Sequence, residues 1–122
     1  MLYKMTKKDK STTEIGSSEE TLVANYLKEH KHSVLALNWR TRWCEIDIVS
    51  KKDQVVYFTE VKYRKVNTWG SGLEAITNNK LKQMKFAAEI WLSNNKWSGE
   101  ARLQAAAVYG EPPILESIIE LD

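Results

Sequence analysis

The order of segments predicts an α/β domain with a mixed β-sheet flanked by α-helices. Three observations carry that expectation. Apolar residues recur at helical spacing in two segments; β-branched and aromatic residues crowd into several others; and the segments run helix, three strands, helix, then one or two strands. A chain of 122 residues, 43% hydrophobic and 28% charged, builds one core rather than two and is not that of a disordered tail.

Residues 1–16 read as a flexible basic leader, and residues 17–122 as a single domain. Ser17 to His30 is expected to be helical: Ser17 and Glu20 have capping-box spacing, and Leu22, Val23, Tyr26 and Leu27 follow at helical intervals. Val34 to Arg40 predicts a short strand, and Arg42 to Ser50 and Val55 to Arg64 are the strongest strand signals. Lys51 to Gln54 is read as the loop of a hairpin between them. Asn67 to Gly72 carries two glycines and reads as a loop. Leu73 to Asn95 predicts the long helix, Arg102 to Tyr109 a further strand, and Pro112-Pro113 breaks the chain. Ile114 to Leu121 fits strand or helix.

No apolar run is long enough to span a bilayer, so no membrane partner is expected. One cysteine, Cys44, excludes an internal disulfide, and with two histidines it is too few for a structural zinc site. That composition, with no secretory signal, predicts a cytoplasmic protein. The net charge is only +2, yet the leader is basic and the C-terminal segment acidic, which leaves a basic body that permits a polyanionic partner.

The hairpin holds the chemistry. Alternation puts Trp43, Glu45, Asp47 and Val49 on one face, opposite Cys44, Ile46 and Ile48. Pairing Ser50 with Val55 sets Asp47 against Phe58 and Glu45 against Glu60, with Asp47 diagonal to Glu60. Three acids on one face repel unless offset; Lys62 offsets part, and a hard divalent cation such as Mg²⁺ would offset the rest. Glu20 and Lys80 fall on the apolar stripes of their helices, and both have the reach to meet those carboxylates. Glu20 reads equally as a helix cap, and Lys80 equally as a side chain that extends to solvent. Trp39, Trp43 and Trp91 are expected in the core, His30 and His32 on the surface, and Cys44 as a small buried apolar group.

Glu20, Asn38-Trp39-Arg40, Glu45-Ile46-Asp47-Ile48, Glu60-Val61-Lys62-Tyr63-Arg64, Gly70 and Lys80 follow the order and spacing of the YraN family. The chain resembles that family of endonucleases, in the PD-(D/E)XK nuclease superfamily and similar to Holliday-junction resolvases, from about Gly16 to Val108. It departs from the family pattern at Glu19, Lys31 and Cys44, where glycine is usual, and at Gln104, where Asp is usual.

The resemblance implies a restriction-endonuclease-like fold and metal-dependent hydrolysis of phosphodiester bonds in DNA, branched DNA included. It implies that Asp47, Glu60 and the carbonyl of Val61 hold Mg²⁺ or Mn²⁺, that Lys62 orients the attacking water and helps remove its proton, and that Glu20 and Glu45 support the site. Arg40, Arg42, Arg64, Lys65 and Lys80 are expected against nucleic acid, with Trp69 stacking on a base or wedging a junction. A homodimer is expected by analogy with enzymes that cut two strands. Two rival readings stand beside this one: a nucleic-acid-binding protein of the same fold without catalysis, and a protein-interaction adaptor using the hairpin edge and acidic C-terminus.

Overall fold

A computed structural model describes residues 3–4, 17–65 and 76–121. In chain order these form β1 (Tyr3–Lys4), α1 (Ser18–Glu29), β2 (Ser33–Arg40), β3 (Glu45–Lys52), β4 (Val55–Arg64), α2 (Asn78–Asn94), β5 (Glu100–Tyr109) and β6 (Ile114–Leu121). The strands make one sheet in the order β1-β6-β5-β4-β3-β2. Only β4 and β5 run parallel; their crossover is the connection that holds α2, which a parallel pair requires. The α/β class and mixed sheet expected from the segment order are therefore found, and the ambiguous Ile114 to Leu121 is a strand.

α1 begins with a complete capping box. Ser17 Oγ accepts from the Glu20 N–H at 3.2 Å, and Glu20 Oε1 accepts from the Ser17 N–H at 3.1 Å. It ends in a Schellman motif: His32 N–H donates to Leu27 O at 3.0 Å and Lys31 N–H to Lys28 O at 3.2 Å. Lys31 sits at the left-handed position of that motif, φ 75°, which accounts for the glycine usual there in the resembled family. Lys31→Gly is therefore expected to stabilise the protein by about 0.5–1 kcal/mol, read as a higher denaturant midpoint at unchanged slope. An unchanged or lower midpoint would mean that Lys31 makes compensating contacts.

The β3–β4 hairpin corrects the expected register. Lys52 pairs with Val55 and Ser50 with Tyr57, so the loop is two residues, Asp53-Gln54, rather than four. Both loop residues have positive φ, 50° and 66°, as the twist-matched two-residue turn demands. No glycine marks it, so the sequence signal for so tight a turn is missing. The shift is two residues, which preserves the face of each side chain from Ile48 to Lys52 but changes its partner. β3 also starts at Glu45 rather than Arg42, because Thr41 caps the preceding turn: its Oγ1 accepts from the Trp43 and Cys44 N–H groups at 3.1 and 3.2 Å.

Each face of the sheet carries a core. Leu22, Val23, Ala24, Tyr26 and Leu27 of α1 pack with Ile48, Ala106, Val108 and Leu115. Met84, Ala87, Ala88 and Trp91 of α2 pack with Ile46, Val49, Val56, Phe58 and Leu103, and the rings of Phe58 and Trp91 meet edge to face at 5.7 Å. Ala105, Ala106 and Ala107 on the central β5 are buried and keep the layers thin. Ile46 and Ile48 join opposite cores, against the common face expected for them, so the alternation is reset between them, at Asp47. Opposite that point, in the register that pairs Leu37 with Ile48 and Trp39 with Ile46, lies Asn38 of β2 with φ 49°. A left-handed residue inside a strand twists the backbone locally, and Asn tolerates that conformation better than most side chains.

Candidate functional site

Regular pairing of β3 with β4 ends at Ile48 and Thr59. Beyond that pair Asp47 follows on β3 and Glu60 on β4, and Asp47 is near enough for its charge to act on Glu60. Here a side chain replaces the backbone partner: Asp47 Oδ2 accepts from the Val61 N–H at 2.8 Å. Asp47 is 9% exposed, and burial, followed by the charges of Glu20 and Glu45, outweighs that hydrogen bond and raises its pKa to about 6. The Glu60 carboxyl is raised as well, first by burial and then by Asp47, against the opposing pull of Lys80 and Lys62. Asp47 thus disfavours the charge on Glu60, as closely placed carboxylates do.

Two ammonium groups meet Glu60. Lys80 Nζ, from the first turn of α2, lies 3.3 Å from Glu60 Oε2, and Lys62 Nζ lies 3.7 Å from the same oxygen. Thr77 positions that first turn, its Oγ1 accepting from the Lys80 N–H at 3.0 Å. Glu20 closes the α1 capping box, and its charge helps raise the Asp47 carboxyl. The far end of β4 is tied down by Tyr63 Oη donating to Gly110 O and Gly110 N–H donating to Arg64 O, each at 3.0 Å.

Glu45 is placed differently from the expectation. It is an exposed side chain at the start of β3, 3.9 Å from Arg40 Nε, although it still borders the small pocket that Glu60 lines. Among the described residues no group of three or more His, Cys, Asp or Glu side chains is gathered closely enough to hold a metal ion. The groups here that could hold a cation are the Asp47 and Glu60 carboxylates and the carbonyl of Val61. Two carboxylates and retained water suit Mg²⁺ or Mn²⁺ better than a softer metal, which would want His or Cys.

The basic residues divide. Arg40 at the end of β2 and Arg42 in the β2–β3 connection, with Lys80, line an open cleft of about 480 Å³. Lys65 is exposed at the end of β4, with Arg64 half-buried before it, and neither lines that cleft. Trp69 and Gly70 lie outside the described residues. Trp43, expected in the core, is instead 72% exposed and lines the cleft, because β3 begins only at Glu45 and leaves it in the connection. His32 is half-buried rather than on the surface, with Nδ1 2.9 Å from Ser50 Oγ. Gln104 is buried, its Nε2 donating to Thr59 Oγ1 at 2.9 Å across β5 and β4. The sequence reading puts Trp43 in the core and names Asn38 only within the Asn38-Trp39-Arg40 motif, without a structural role.

No helix among the described residues is long and apolar enough to cross a membrane. Comparison with known sequences returns one family repeatedly. A UPF0102 protein of Vibrio parahaemolyticus is 37% identical over 86 residues, covering 70% of this chain and 71% of the relative. A UPF0102 protein of Rhodococcus jostii is 32% identical over 109 residues, covering 85% and 92%. Another, from Syntrophomonas wolfei, is 38% identical over 81 residues, covering 66% and 70%. The family model described as "Uncharacterised protein family UPF0102" matches residues 19–108, a span that holds Glu20, Asp47, Glu60, Lys62 and Lys80. The chain belongs to the UPF0102 family.

Proposed function

We propose that the protein is a metal-dependent endonuclease of the restriction-endonuclease-like fold that hydrolyses phosphodiester bonds in DNA. The observation that carries the reading is the buried Asp47 carboxyl, pinned to the Val61 N–H beside Glu60 and raised in pKa by its surroundings. A fold spends stability on such a group only where its charge is used. The likeness of the Glu-Ile-Asp and Glu-Val-Lys segments to the YraN pattern supports the same reading.

Asp47, Glu60 and the Val61 carbonyl would hold Mg²⁺ or Mn²⁺, and the bound cation would supply positive charge where negative charge builds up during attack on phosphorus. The Val61 N–H fixes one oxygen of Asp47, leaving the other for a ligand. Lys62, on the same strand face as Glu60, orients the attacking water. Lys80 reaches the site from the first turn of α2 and holds Glu60, and Glu20, from the first turn of α1, would support a second cation or its waters. Arg40, Arg42, Arg64 and Lys65 supply phosphate contacts, which makes binding salt-sensitive.

Incubation of the full chain with flapped, branched, single-stranded and duplex DNA, with Mg²⁺ or Mn²⁺, tests the reading. Cleavage of at least one substrate is expected, abolished by EDTA and by Lys62→Met. No cleavage of any substrate would favour the second reading, a nucleic-acid-binding protein without catalysis. One observation supports that alternative: Lys62 and Lys80 both partner Glu60, which offsets its charge.

A further inference from the structure

Exposed indoles are costly. Burying a large aromatic side chain is favourable, and isolated exposed aromatics are scattered rather than paired. Yet Trp43, 72% exposed, and Phe86, 49% exposed, line one cleft. They reach it from different elements, Trp43 from the β2–β3 connection and Phe86 from α2. Arg40, Arg42 and Lys80 supply its positive charge, and the one acid lining it, Glu45, is partnered by Arg40. Arg42 lies over the Trp43 ring, its guanidinium carbon 5.1 Å from the centroid, which holds the indole and leaves its other face open. Lys80 belongs at once to the cleft and to Glu60, so the cleft leads to the acid pair.

We propose that Trp43 and Phe86 form a stacking platform for an unpaired DNA base, with Arg40 and Arg42 holding the flanking phosphates. The inference rests on the nuclease reading only for what happens next, the presentation of the neighbouring phosphodiester to Asp47 and Glu60. The chemistry selects the occupant. Aromatic faces beside fixed cations match a base and its phosphate, and a volume of about 480 Å³ admits a nucleotide. Bases inside a continuous duplex are already stacked and present no free face, so the platform favours single strands, flaps and the open centre of a junction over uninterrupted duplex. No helix or strand enters a groove here; recognition is by stacking, which tolerates any base.

The test separates binding from cleavage. Dye-labelled oligodeoxythymidine, an abasic strand with the same phosphates, and a matched duplex are titrated with the full chain in EDTA, following anisotropy. Oligodeoxythymidine is expected to bind about tenfold or more tightly than the abasic strand. Trp43→Ala and Phe86→Ala should each erase most of that difference, Trp43→Phe should restore it, and circular dichroism should show the fold intact. Arg42→Ala should weaken all three probes together and flatten the salt dependence. Equal affinity for the thymidine and abasic strands, unchanged affinity in Trp43→Ala and Phe86→Ala, or no binding of any probe would overturn the platform. If the preference for bases is found and no DNA is ever cut, the nuclease reading fails and the platform stands; cleavage without the preference gives the reverse.

Discussion

Asp47→Asn is expected to abolish cleavage and, in the same stroke, to make the metal-free protein more stable. The amide keeps an oxygen for the Val61 N–H, so the local geometry survives, but the charge needed to hold a cation is gone. Cleavage should fall by about 10³-fold or more, the scale on which removing one preorganised charge-stabilising group acts. The gain in stability follows from the raised pKa. An ionised Asp47 that would titrate near 4 in the unfolded chain and titrates at about 6 when folded costs the fold on the order of 3 kcal/mol at neutral pH. For a chain of 122 residues that corresponds to a melting temperature higher by roughly 10 °C. Thermal melts in EDTA at pH 8, run beside a cleavage assay, check both halves. A variant that loses activity and also loses stability would mean that Asp47 is a structural group.

The second large effect is the pH dependence of the metal-free protein. Asp47 binds its proton more tightly folded than unfolded, so between about pH 4 and 6 the folded state carries more protons. Its contribution is therefore greatest in acid and is lost as pH rises through about 6; Glu60, also raised, acts in the same direction. His32 opposes them. Burial and the charges of Lys52 and His30 lower its pKa, so its contribution is present above its unfolded value and is lost as pH falls. The difference between wild type and Asp47→Asn isolates the Asp47 part. Denaturant midpoints should converge at pH 4 and separate towards pH 7, the wild type being weaker. Curves that stay parallel across that range would contradict the assigned pKa.

What the sequence makes legible follows from which signals are local. Ser17 and Glu20 are three residues apart and cap α1 as their spacing predicts, and Met84, Ala87, Ala88 and Trp91 recur on the buried face of α2. The alternation of Val56 and Phe58 places one face of β4 correctly against α2. The hairpin register was missed because a two-residue turn of Asp53-Gln54 carries no glycine, although positive φ at both residues makes glycine the usual choice. Asp47 and Glu60 are neighbours as their sequence positions suggest, whereas the reset of alternation at Asp47, which parts Ile46 from Ile48, carries no periodic signal. Trp43 was misplaced because hydrophobic character alone does not tell a core indole from one displayed in a turn. Lys80 meeting Glu60 depends on how α2 crosses the sheet, a tertiary fact that helical periodicity hints at by putting a charge on the apolar stripe but does not determine.

All of this depends on Asp47 and Glu60 forming one cation site. Titration of Mn²⁺ into the metal-free protein at pH 8, with free Mn²⁺ read by electron paramagnetic resonance, measures that directly. A single saturable site in the wild type, lost in both Asp47→Asn and Glu60→Gln while the two variants remain folded, is the predicted result. No saturable binding, or binding of equal strength in either variant, would contradict it.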